Sequence, residues 1–214
     1  MTDFQEFVSK SMLWAEGLAA VVSLLYYNRV KNQYWIFFIF YLVFIFLGEA
    51  YGRWGKFPYF SKSYYYNYFL MPIQFIFFYW LYAAKSLGKP KLFFVLSVLY
   101  LLSFIPNELY FSGSKIVFAF NYTFGCLILM LLVVMEYYKQ INSQDILNFS
   151  KNRMFYINLG VTLSYIGTLP FMALFSVLIN YMEIWNIYFS YFLISGVVMY
   201  LLFASSFIWG KQNS

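Results

Sequence analysis

Polar residues interrupt this chain rarely, and between them run seven stretches dominated by Leu, Ile, Val, Phe and Tyr. Their bounds are Ser11–Tyr27, Tyr34–Gly52, Tyr64–Ala84, Lys91–Ile105, Lys115–Tyr138, Arg153–Asn180 and Ile184–Trp209. The apolar runs are continuous and not alternating, which predicts helices and argues against an outer-membrane barrel. A helix needs about 20 apolar residues to cross a ~30 Å hydrocarbon core. The fourth stretch is the shortest because Pro106 closes it, whereas the sixth and seventh are long enough to tilt or protrude. The fold class expected is all-α: one polytopic transmembrane bundle of seven helices occupying residues 1–214.

The connections are short. The longest, about Lys139–Asn152, is rich in Asn, Gln and Ser and too small to fold as a soluble domain. Any cytoplasmic output would need a separate partner chain. Asp3 and Glu6 precede the first stretch, and Arg29 and Lys31 follow it, so it reads as a retained helix and not as a cleaved signal peptide. Seven spans place Lys10, Arg53, Lys56, Lys62 and Lys115 on one side. The other side holds Arg29, Lys31, Lys85, Lys89, Lys91, Lys139, Lys151, Arg153 and Lys211, nine cations against five. The positive-inside rule then expects the N-terminus outside, the C-terminus cytoplasmic, and a location in the cell's inner (plasma) membrane.

Composition narrows the chemistry. Of the 214 residues 63% are apolar and 10% charged. An ordinary soluble domain carries about 45–50% and about 25%, and disorder requires the opposite bias. There is no histidine, which removes imidazole catalysis, imidazole metal ligation and imidazole proton sensing together. The single cysteine, Cys126, lies in an apolar run and reads as packing. No cofactor and no metal is expected. The net charge of +6 is dispersed through short loops, which suits lipid headgroups and topology and not nucleic acid. The 57 aromatic residues (28 Phe, 23 Tyr, 6 Trp) can furnish both interfacial belts and interhelical packing.

Ionisable groups at mid-bilayer cost about 2.5–3.5 kcal/mol each on insertion scales, so those that occur there pair with one another or serve a function. With antiparallel spans, Glu16, Glu49, Arg53, Gln74, Glu108 and Asn121 collect in the outer half. The inner half holds fewer, chiefly Glu136 and Asn158. Pro72 and Pro170 would each free a backbone carbonyl, giving two helix kinks. The expectation is a polar cavity open to the extracytoplasmic side and lined by the second to sixth helices. Structural explanations stand beside it. Glu49 and Arg53, four apart, would simply pair; Gln74 and Asn121 would bond across helices; Tyr64–Tyr68 would form an interfacial belt. Ser11, Ala15, Ala19 and Ser23 form a small-residue ridge, and Gly48 and Gly52 a G-x-x-x-G, both expected to serve packing within the chain.

Several segments resemble an uncharacterised bacterial family of seven-helix integral membrane proteins. They are Glu49…Arg53, Tyr68-Phe-Leu-Met-Pro72-Ile-Gln74-Phe75, Asn107-Glu108, Asn152-Arg-Met-Phe155-Tyr-Ile-Asn158-Leu-Gly160 and Ser164-Tyr165-Ile-Gly167. The similarity runs from about Tyr34 to Ser206, and Arg153 stands where the family often has proline. The resemblance implies a sensing role beside cytoplasmic histidine kinases and carries no biochemical activity with it. Retinal proteins, three-plus-one-plus-three sugar transporters and intramembrane proteases fit less well. Ile184–Trp209 has no lysine, Ile73 separates Pro72 from Gln74, and histidine is absent.

The function expected is a non-enzymatic receptor or sensor subunit, binding a small molecule or lipid at the outer-half polar residues and signalling to a cytoplasmic protein. A small transporter or channel using Glu16, Glu49 and Glu136, a lipid-modifying enzyme using Glu49 or Glu108, and a structural subunit of a membrane complex are the rivals.

Overall fold

The computed structural model of this chain describes residues 2–106, 120–142, 149–178 and 180–210. Among them the long helical runs are α1 (Asp3–Leu25), α2 (Ile36–Trp54), α3 (62–86), α4 (Pro90–Leu102), α5 (Phe120–Ile141), α6 (153–166) and α7 (Met182–Ile208). Single helical turns lie between some of them, and no β-strand occurs among the described residues. Among the described residues four helices, α1, α2, α5 and α7, are long and apolar enough to cross a membrane. That is fewer than the seven spans expected. The difference lies in α3, which contains two π-turns, in α4, which is short, and in α6, which gives way at Gly167–Thr168.

Local sequence explains the helix ends. α1 starts at Asp3, well before the expected Ser11, because Thr2 and Gln5 form a reciprocal capping box. Asp3 and Glu6 then sit in the first turn, where the helix dipole favours negative charge. Pro72 enters α3 directly after a π-turn at Tyr66–Leu70, in which the Met71 N–H reaches back to the Tyr66 carbonyl. The irregularity expected at Pro72 takes the form of a wide turn just before it. Pro170 lies just past the break that ends α6, in the short helix Leu169–Ala173. The Thr168 hydroxyl donates to the Ser164 carbonyl and so helps satisfy that end.

In lipid there is little hydrophobic drive between helices, so packing and interhelical hydrogen bonds must hold them together. α1 lies along α7 and α2, α7 also along α6, and α5 against α3, α4 and α6. Gln5 ties the first turns of α1 and α7 together by donating to the Asn186 carbonyl and side chain and to Ser190. The two helices therefore run parallel. Ala15, Ala19 and Ser23 of the small ridge are buried within the fold. A Cβ at Gly48 would collide with Leu70, and one at Gly52 with the Tyr66 ring, so this G-x-x-x-G seats α3 on α2. The core is largely aromatic. Tyr41 and Phe77 stack at 4.0 Å, and Phe38 meets Phe203 edge-on at 5.3 Å. Cys126 is buried and unpaired with another cysteine, in keeping with a packing role. Leu47, Leu131, Val134 and Ile187 face outward, as a lipid-facing surface requires.

Candidate functional site

Five helices bring polar side chains together near the end of the bundle that carries Glu49. Glu16 comes from α1; Tyr41, Glu49 and Arg53 from α2; Tyr66 and Gln74 from α3; Tyr165 from α6; and Tyr200 from α7. Glu16 is close enough to Glu49 and Arg53 for Coulombic interaction, and the Tyr200 hydroxyl faces its carboxyl. Tyr66 donates to Glu49 Oε2 at 2.9 Å, and Tyr165 donates to Gln74 Oε1 at 3.1 Å. Tyr41 lies beside Tyr165 and within electrostatic reach of both carboxyls. Its hydroxyl is buried, faces Tyr165 and has no partner at hydrogen-bond geometry. Glu16 is 2% exposed, and its Oε2 likewise has no partner. A buried polar atom without a partner costs about 1–3 kcal/mol, so two of them in one tyrosine-lined cluster mark a place suited to a ligand or a proton.

Glu49 and Arg53 do not form the ion pair that their spacing offered. Arg53 turns instead toward α1, where Nη2 donates to the Ser9 carbonyl at 2.7 Å, while Glu49 takes the Tyr66 hydroxyl. The two still interact electrostatically. The Tyr64–Tyr68 run is likewise divided. Tyr64 is exposed, as a belt residue would be, but Tyr65 donates inward to the Gly48 carbonyl at 3.1 Å and Tyr66 reaches Glu49. The π-turn beginning at Tyr66 and the small Gly48 and Gly52 allow that approach.

The expected outer-half set is otherwise placed as follows. Glu16, Glu49, Arg53 and Gln74 belong to the one cluster. Asn121, on the first turn of α5, is fully buried and neither end of its amide is hydrogen-bonded, to Gln74 or to any other described residue. Glu108 falls outside the described residues. The lining differs from the expectation too, since α1 and α7 contribute alongside α2, α3 and α6.

The opposite end holds a second polar group that sequence reasoning undervalued. Glu136 is 1% exposed, and both carboxylate oxygens are used: Ser86 donates at 2.6 Å and Gln140 at 3.0 Å. Lys139 donates to the Ser86 carbonyl at 2.7 Å. Arg153 was expected as a loop cation counted for topology, yet it is buried. Its guanidinium lies over the Trp35 and Phe207 rings, and it donates to the Ser206 and Gly210 carbonyls, both at 3.1 Å. It thereby caps the C-terminal end of α7. Asn158 is buried with its amide unpartnered. The available signal was position: Arg153 opens a helix directly after the N-cap Asn152, so it enters the bundle and not the preceding loop.

Two grooves open sideways. One, of about 860 Å³, lies between α1 and α2, with Lys10, Arg53, Trp14 and Trp54 toward one end and Val21 and Val22 toward the other. A smaller one of about 550 Å³ lies between α2 and α3, lined by aromatic side chains that include Tyr41, with Lys85 at its rim. Among the described residues no group of three acidic or cysteine side chains is placed to hold a metal ion. No protein-family model, curated protein or solved structure matches this chain.

Proposed function

We propose that the chain is a seven-span sensor or receptor subunit of the plasma membrane, with its N-terminus outside, that binds a small molecule or lipid at the Glu16–Glu49–Arg53 cluster. The three interrupted or short runs α3, α4 and α6 complete the thread. The observation that carries the reading is the convergence of five helices on two carboxyls, with Glu16 Oε2 and the Tyr41 hydroxyl buried and unpartnered. A ligand donating to those atoms would pull on α1, α2, α6 and α7 together. The π-turns of α3 and α6, local departures from α-helical winding, would take up the movement. The response would pass to a cytoplasmic partner, for which the family resemblance points to a histidine kinase. The test is thermal stabilisation of the purified protein by fractions of a membrane lipid and metabolite extract. Wild type should gain Tm with at least one fraction. Glu16→Gln combined with Glu49→Gln should keep its basal Tm and lose that gain. Equal gains in both proteins would remove the cluster from binding.

A transporter remains a second reading for one specific reason: buried polar groups also occur at the far end, in Glu136, Arg153 and Asn158. Proton flux in liposomes, followed with an internal pH-sensitive dye, separates the two. Flux abolished by Glu16→Gln supports transport, and an absence of flux leaves the sensor.

A further inference from the structure

The groove between α1 and α2 has the dimensions and polarity of a single lipid site, and we infer that it holds one phospholipid, its phosphate between Lys10 and Arg53 and an acyl chain running toward Val21 and Val22. From Lys10 to Val22 the helix rises about 18 Å, a little more than half of a ~30 Å hydrocarbon core, so the groove matches the depth of one leaflet. Its floor exists because residue 17 is glycine. A Cβ there would stand 3.0 Å from the Phe46 ring, which also lines the groove. Trp54 and Trp14, 75% and 80% exposed, flank the basic end, where indole rings sit at headgroup level. The rest of the lining is aliphatic or aromatic.

The charges at the mouth fit a phosphate. Lys10 pairs with Glu6 at 2.8 Å but has two further donors. Arg53 uses Nη2 on the Ser9 carbonyl and keeps the rest of its donor fork. The acids facing Arg53 are Glu16 and Glu49, both on the bundle side and away from the groove lining. Arg53 is thus shared between a lipid-facing mouth and the buried carboxyls, so phosphate binding would draw it outward and leave Glu16 and Glu49 less compensated. This goes beyond the proposed function, since the phospholipid lies on the other side of Arg53 from the Glu16 carboxyl, and it rests on that reading for the signalling consequence alone.

The experiment uses the full chain in phosphatidylcholine nanodiscs doped with phosphatidylglycerol or, as a phosphate-free control, diacylglycerol, with retained lipid counted by native mass spectrometry after release into detergent. Wild type should retain one phospholipid and no diacylglycerol. Lys10→Gln with Arg53→Gln should lower occupancy about tenfold, equivalent to about 1.4 kcal/mol. Leu18→Trp with Val21→Trp, two exposed groove positions, should fill the channel and abolish retention without lowering Tm. Unchanged retention in either pair, or diacylglycerol held as well as phospholipid, overturns the inference. Retention that responds to both pairs, with no effect on the Tm gain described for the Glu16 and Glu49 variants, upholds the groove and separates it from the ligand sensed by the cluster.

Discussion

Glu136 and Glu16 are equally buried and unequally employed. Glu136 accepts from Ser86 and Gln140, and Lys139 closes the group by bonding Ser86. It joins α5 to the last turn of α3, and every oxygen has a donor. Glu16 has charged and phenolic neighbours on four other helices, yet one oxygen has no donor. A buried carboxyl that is fully bonded is a clamp between helices. One that is surrounded but unsatisfied costs stability, and that cost is tolerated where something else uses the atom. The contrast is between Glu136, whose oxygens tie α5 to α3, and Glu16, the acid of the proposed site with an oxygen to spare.

Substitutions at the two ends should therefore behave differently. Arg153→Ala should have the largest effect. It removes two charge-assisted bonds to the end of α7 and the stack on Trp35, at a loss of about 3 kcal/mol in SDS-induced unfolding. If Arg153→Ala unfolds like wild type, the far end is not a structural clamp. Glu136→Ala should cost about 2 kcal/mol in the same assay, because Ser86 and Gln140 lose their acceptor. Gly52→Leu should cost about 2 kcal/mol by driving Tyr66 and α3 off α2; an unperturbed Tm would mean the helices do not meet as closely as described. Tyr66→Phe should cost about 1 kcal/mol through the lost bond to Glu49. Smallest of all, Glu16→Gln should leave unfolding unchanged while altering ligand response. A loss as large as that of Glu136→Ala would erase the distinction between the two carboxyls.

Much of the helical fold is legible in the sequence, since each apolar stretch contains a helix and most breaks fall at polar connections. The capping box that extends α1 was present in Thr2 and Gln5 but competed with a reading that started at the apolar run. The interruptions in α3 and α6 were signalled only indirectly, by Pro72 and Pro170. A π-turn depends on how a helix seats against its neighbours, and no local propensity encodes it. At the site, alternation of helix direction was enough to place Glu16, Glu49, Arg53 and Gln74 at one end. It did not fix azimuth. Which way Tyr41, Tyr165 and Tyr200 turn is decided by packing, and hydropathy reads a tyrosine as interfacial wherever it stands. The same ignorance of azimuth hid Arg153, the first residue of α6, whose side chain turns in toward Trp35 and the end of α7.

The π-turn at Tyr66–Leu70 makes α3 phase-sensitive. Each residue in an α-helix advances by about 100°, and this turn takes one residue more than an α-turn for about the same rotation, so winding the same residues as plain α-helix would rotate one half of α3 against the other by about that angle. Tyr66 and Gln74 now serve Glu49 and Tyr165 from a single helix. Wound that way, α3 would keep its helicity and serve one of those partners or the other, so the wide turn sets the angular offset on which the cluster depends.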